Sequence, residues 1–254
     1  MTITLKLRSE PKPEAAAMTL AEHLGELRSR VLVCAGAFVV AATAAFLLYP
    51  WILSFLKHPY CKVAPAHCGF YITGPLDGLS LRVKIAAYGG LFLASPVLLW
   101  EFWQFITPGL NSKEKRYAIP FVAASLALFA LGCLVAFETF PHALRFLDSV
   151  GGPSLHEIFN PINYLSLIVL LMVVFGITFE FPVILVSLQV AGVLAPKQLS
   201  KWRKWAIVGI VVVAGVITPS SDPFSMMALA VPLYAFYEIS IMIGRIMQRM
   251  RAAT

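Results

Sequence analysis

The chain has 254 residues, 59% hydrophobic and only 13% charged, with a formal net charge of +7. Soluble domains average roughly 25% charged and 45–50% apolar residues, so this composition excludes a single water-soluble core and calls for lipid as solvent. In lipid only helices and closed barrels satisfy their own backbone, and the apolar segments lack the alternation of barrel strands, which leaves helices.

Residues 1–18, rich in Pro, Ala and charge, read as a flexible cytoplasmic tail. Thr19 is a plausible N-cap with Glu22 as its capping-box partner, and the helix it opens carries His23, Glu26, Arg28 and Arg30 into the first apolar run, 31–48. That run is long for the apolar part of a cleaved signal peptide and follows thirty mostly polar residues, so it is expected to stay as a first span. An outside loop is expected over 50–78, holding Cys61 and Cys68. An oxidising outer face would join that pair as a disulfide. His58 and His67 flank it without the spacing of a zinc site. Cys34 and Cys133 lie in spans as small packing residues.

The second run, 85–100, reaches membrane length if it extends from about 79 to 103. An inside loop over 104–117 follows, with Glu114 between Lys113 and Lys115. The third run is 118–137, and a second outside loop over 141–163 has room for a short surface helix near 142–150. The fourth run, 164–179, leads into Glu180 and then Phe181-Pro182. A charge at that depth costs ~2.5–3.5 kcal/mol or more, so Glu180 is a functional candidate; a structural hydrogen bond to a neighbouring helix is the plainer alternative.

A basic inside loop, 196–204, precedes the last two runs, 206–217 and 224–237. Both fall short of the ~20 residues a bilayer needs. They read either as two short spans or as one re-entrant hairpin turning at 218–222. Asp222 and Glu238 bracket the last run. Pro50, Pro96, Pro120, Pro182 and Pro232 fall within or at the ends of spans, which predicts bent helices and a curved bundle.

Orientation follows from charge. With the N-terminus inside, fifteen of the twenty Lys and Arg residues face the cytoplasm, and only Lys57, Lys62, Arg82, Lys84 and Arg145 lie outside. That three-to-one bias predicts both termini inside. The basic residues are spread over four short inside segments, so nucleic acid is not an expected partner. Trp51, Trp100, Trp103, Trp202 and Trp205 fall at span ends, where an amphipathic ring prefers the headgroup layer.

The expectation is therefore an all-α integral membrane protein of six transmembrane helices, the last two short, with a membrane domain over 19–245 and a basic cytoplasmic tail over 246–254. No phosphate-binding loop, nucleophile elbow or metalloprotease motif is present, so neither catalysis, metal nor cofactor is expected.

Several segments point to a family. His23-Leu-Gly-Glu-Leu-Arg28 resembles the amino-terminal motif of the TatC family, the membrane receptor of the twin-arginine translocase. Residues 95–110, the Lys113-Glu-Lys-Arg116 loop and Phe175-Gly-Ile-Thr-Phe-Glu-Phe-Pro182 resemble its second span, loop and fourth-span motifs in order. Thr218-Pro-Ser-Ser-Asp222 and Phe236-Tyr-Glu-Ile239 are similar to its last turn and last helix. The resemblance implies a receptor in the cytoplasmic (inner) membrane that binds twin-arginine signal peptides. It also implies assembly with small single-span TatA- and TatB-type partners, self-association, and export of folded proteins driven by the proton-motive force.

By motif, Glu26 and Glu114 fall on the family's arginine-pair carboxylates, with His23, Arg28, Glu101, Phe105 and Pro108 around them. Glu180 falls on its intramembrane acid, and Thr218, Asp222, Met226 and Glu238 on polar or partner-contacting positions. Two positions depart from the pattern: Ala136-Phe137 stands where the family often has Tyr-Phe, and Met226 where some members carry an amide. The alternative function is a proton-coupled secondary transporter of a small solute using Glu180. It predicts pseudo-symmetric halves, and the sequence has no such repeat.

Overall fold

The computed structural model describes residues 20–63, 74–106, 118–151, 160–218 and 222–252. All regular structure among them is helical. Apolar side chains on every face leave each segment no partner but itself for its backbone.

The first helix, α1 (Leu20–Leu47), contains no proline and runs 28 residues, about 42 Å at 1.5 Å per residue. The chain then turns at Leu48 and re-enters a helix, α2 (Tyr49–Val63), with the Trp51 amide donating to the Leu48 carbonyl at 3.0 Å. The loop expected over 50–78 is thus helical in its first part. Leu56 and Tyr60, four residues apart, are both buried, and both meet Tyr164: its ring lies edge-on to Tyr60 and its hydroxyl donates to the Leu56 carbonyl at 2.8 Å. Pro59 lies inside this helix without ending it.

The third helix, α3 (Asp77–Ile106), begins where the Asp77 carboxylate accepts from the Gly74 amide at 2.7 Å. The next, α4 (Ala118–Gly151), is 34 residues long and passes through Pro141. The expected separate surface helix near 142–150 is therefore the continuation of a span. Asn160 caps α5 (Pro161–Phe179) by accepting from the Ile162 amide, with Pro161 preset for the first turn. Pro182 lacks the N–H the helix needs, so the chain breaks at Glu180 and resumes as α6 (Phe181–Val190). Gly192, at φ 75°, closes α6 in the left-handed conformation that favours glycine. Then come α7 (Pro196–Lys201), α8 (Arg203–Ile217) and α9 (Pro223–Ala252).

Among the described residues, five stretches are long and apolar enough to cross a bilayer, lying in α1, α3, α4, α5–α6 and α9. The 15 residues of α8 reach about 22 Å against a core of ~30 Å, as expected for a short segment. The last helix is not short: its apolar run covers only the first half of a 30-residue helix. The helix continues past 245, so Arg245 and Arg249 ride on the same rod as Glu238.

Packing pairs α1 with α3 and α4 with α5, while α9 lies against α4, α6 and α8. Small residues permit the closest approaches. A Cβ on Gly90 would sit 2.7 Å from the Ala42 Cα, and one on Gly132 would sit 2.7 Å from the Phe175 carbonyl oxygen. The α5–α6 stretch is the centre of the molecule, far more buried than α1. Trp51, Trp100, Trp202 and Trp205 are exposed as an interfacial belt requires, but Trp103 is buried and belongs to the packing.

Candidate functional site

Two separate acidic centres emerge. The first joins α1 to α3. Glu26 and Arg30 are one helical turn apart, so they share a face. The Arg30 guanidinium donates to Glu26 Oε1 from Nε at 3.2 Å and from Nη2 at 2.5 Å. Its remaining nitrogen, Nη1, donates to Glu101 Oε2 at 3.0 Å and to Gln104 Oε1 at 2.9 Å on α3. The three charged side chains are only 17–24% exposed. Glu26 Oε2 is buried and accepts no hydrogen bond.

His23 lies in the first turn of α1, Arg28 is exposed, and Phe105 is half-buried near the end of α3. Arg28, two residues from Glu26, cannot share its face, and Arg30 is the neutralising partner instead. Glu114 and Pro108 lie outside the described residues. Sequence reasoning placed Arg30 only among the neighbours of Glu26 and overlooked Gln104. The Glu26–Arg30 spacing of four residues was the available signal for the first; nothing local marks the second.

The second centre is Glu180, at the break between α5 and α6. It is 6% exposed, and neither carboxylate oxygen has a hydrogen-bond partner. The Ser125 hydroxyl on α4 faces it without reaching bonding geometry, and that hydroxyl accepts from Trp103 Nε1 at 2.6 Å. Trp103, Ser125 and Glu180 thus bring α3, α4 and the α5–α6 break together. The neighbouring-helix group nearest to supplying the plainer expectation, a structural hydrogen bond to Glu180, is this Ser125 hydroxyl.

The remaining polar candidates hold the α8–α9 hairpin. Thr218 Oγ1 donates to the Ala214 carbonyl, and Asp222 Oδ1 accepts from the Ser225 amide to cap α9. Met226 reaches across to Gly215 on α8. Farther along α9, Glu238 Oε2 accepts from Arg203 Nη2 at 2.7 Å. These residues form local caps and an inter-helix ion pair, and they do not join Glu26. Cys61 is disulfide-bonded, Cys34 and Cys133 carry free thiols, and Cys68 lies outside the described residues.

A cavity of about 450 Å³ opens between α2, α3, α4 and α5. Its walls include Ile52, Phe55, Phe92, Phe129, Phe137 and Met172, and Glu180 is not among them. A proton-coupled solute site would need polar groups converging beside the acid, and this cavity does not supply them.

Apolar helices of spanning length, with a charged knot between helix ends and a buried acid at a helix break, define a polytopic membrane protein of the helical class. Residues 22–232 match the family described as Sec-independent protein translocase protein (TatC). The TatC protein of Aquifex aeolicus is 39% identical over 235 residues, covering 91% of this chain and 97% of its own length. That of Frankia casuarinae is 38% identical over 242 residues, covering 91% of this chain and 66% of its own length. A crystal structure of a twin-arginine translocase receptor, TatC in DDM, superposes with a TM-score of 0.73 at 38% identity, covering 88% of this chain and 99% of that one. The chain belongs to the TatC family.

Proposed function

We propose that this protein is the receptor core of a twin-arginine translocase in the cytoplasmic membrane. It binds paired-arginine signal peptides at the cytoplasmic face through Glu26 and Glu114. It assembles with TatA- and TatB-type single-span partners and further copies of itself, and it exports folded proteins on the proton-motive force. The observation that carries this reading is the knot itself: a carboxylate at a helix end, already engaged with one guanidinium and with its second oxygen unpartnered. Guanidinium forks match carboxylates bidentately and hold better than point charges. Glu180 belongs to partner assembly or transport within the membrane, and Thr218, Asp222, Met226 and Glu238 shape the neighbouring partner surface.

The topology proposed with it has six crossings, with α8 as a short fifth span, both termini inside and a Cys61–Cys68 disulfide outside. The basic bias of fifteen to five supports this orientation. Single-cysteine labelling in intact cells tests it: position 114 must resist a reagent confined to the outer face, and labelling there overturns the topology. The functional test is binding of a signal peptide carrying Arg-Arg against the same peptide carrying Lys-Lys. Tighter retention of the arginine form supports the receptor reading, and equal retention rejects it.

A further inference from the structure

We infer that Arg30 is a built-in competitor for the signal arginine, holding the Glu26 acceptor until a ligand guanidinium displaces it, and that this exchange sets the preference for arginine over lysine. The inference rests on the receptor reading of Glu26 and adds a specificity-determining residue to it.

The geometry divides the Arg30 side chain into two functional halves. Nη1 is anchored on α3 by Glu101 Oε2 and Gln104 Oε1. Nε and Nη2 converge on a single oxygen, Glu26 Oε1, while Oε2 of the same carboxylate stays buried and unpartnered. Two donors crowd one acceptor atom and the other is unused, so Glu26 is held short of the parallel two-oxygen pairing that makes Arg–carboxylate pairs strong. An incoming guanidinium can make that pairing. Arg30 then gives up Nε and Nη2 without losing its anchor, because the Nη1 bonds to Glu101 and Gln104 do not depend on Glu26.

Charge favours the exchange as well. Two carboxylates and one guanidinium leave the knot with one formal negative charge, which one ligand cation balances. The role of Glu101 follows: it retains Arg30 after release, so that a freed cation does not repel the ligand. A lysine ammonium carries the same charge, but it is a compact point without a planar fork. It cannot replace two converging N–H donors on a carboxylate, so it competes poorly with Arg30. Selectivity thus comes from what the wrong ligand must displace as much as from what the right one gains.

The test uses the full-length protein in lipid nanodiscs and a fluorescent signal peptide in Arg-Arg and Lys-Lys forms. The readout is the ratio of the two dissociation constants for wild type, Arg30→Gln and Arg30→Lys. Removing the competitor should let the lysine peptide bind and shrink the ratio by about tenfold, with the arginine peptide bound at least as tightly as in wild type. Arg30→Lys should lie between, since an ammonium competitor is displaced more easily than a guanidinium. An unchanged ratio in both variants, with arginine binding retained, overturns the inference and leaves the receptor reading intact. Loss of arginine binding in both folded variants also overturns it, because Arg30 would then shape the site without competing for it. If Arg30→Gln does not fold, the Arg30→Lys ratio decides. A wild-type protein with no arginine preference would overturn the receptor reading itself.

Discussion

The knot at Glu26 and the acid at Glu180 are both carboxylates on helices of one membrane protein, but their surroundings are opposite. Glu26 and Glu101 share one guanidinium and keep partial exposure. Glu180 is buried deeper, with a serine facing it and no bonded partner. A paired acid near a helix end can trade one cation for another at little cost, because water and headgroups cover the transition. An acid at membrane depth is held at the expense of desolvation, with only the Ser125 hydroxyl facing it. The difference teaches that the proposed roles ask different things of the two sites: a charged peptide segment at the first and a helix-borne polar group at the second.

The third helix touches both centres. Glu101 and Gln104 face α1 through Arg30, and Trp103 faces α4 through Ser125. Residues two apart on a helix point in nearly opposite directions, so one turn of α3 serves two sites without bringing them into contact.

The comparison breaks most severely if charge reversal in the proposed signal site is tolerated. Glu114→Lys should abolish measurable binding of the Arg-Arg peptide, whereas Lys113→Ala should leave it nearly unchanged; fluorescence anisotropy reads both. A smaller but clear loss is expected for Glu26→Ala. Hydrogen bonds to charged groups contribute about 1.5–3 kcal/mol, so affinity should fall about tenfold or more at ~1.4 kcal/mol per decade. Wild-type affinity in both Glu26→Ala and Glu114→Ala would move the signal site elsewhere.

Trp103→Phe sharpens the contrast. It removes the donor to Ser125 while keeping an apolar ring, and a lost buried hydrogen bond costs roughly 1–3 kcal/mol. Thermal unfolding in detergent should show that loss, while Arg-Arg peptide affinity changes less than about twofold, within the ±0.5 kcal/mol of a distant substitution. A parallel fall in affinity would show that α3 couples the centres. The smallest effect on peptide binding belongs to Glu180→Ala, which should leave affinity intact while export of a folded substrate drops. Full export by that variant would reduce Glu180 to a tolerated buried acid.

Much of the Glu26 site could be read from residues close in sequence. Glu26 and Arg30 stand four apart, and the motifs around residues 23–28 and 95–110 carried the family resemblance. Which of the two basic neighbours pairs with Glu26 is settled by helical geometry: Arg30 shares its face, while Arg28, nearer in sequence, is turned away. The Trp103–Ser125 bond had no signal at all. Trp103 looked like an interfacial residue because it ends an apolar run, and only the packing of α3 on α4 turns its ring inward.

The sequence by itself determined the solvent, the helical class, the apolar spans and the orientation expected from charge. Each rests on a property a segment has alone: a helix in lipid satisfies its own backbone, and an apolar run needs no partner to leave water. Tertiary structure decided the rest. It made α2 a helix despite Pro59, carried α4 through Pro141 and extended α9 far beyond its apolar half. It also joined Arg30 to Glu101 across 71 positions, because α1 and α3 approach closely where Gly90 meets Ala42. Such contacts depend on which helix faces lie together, and no single segment encodes that.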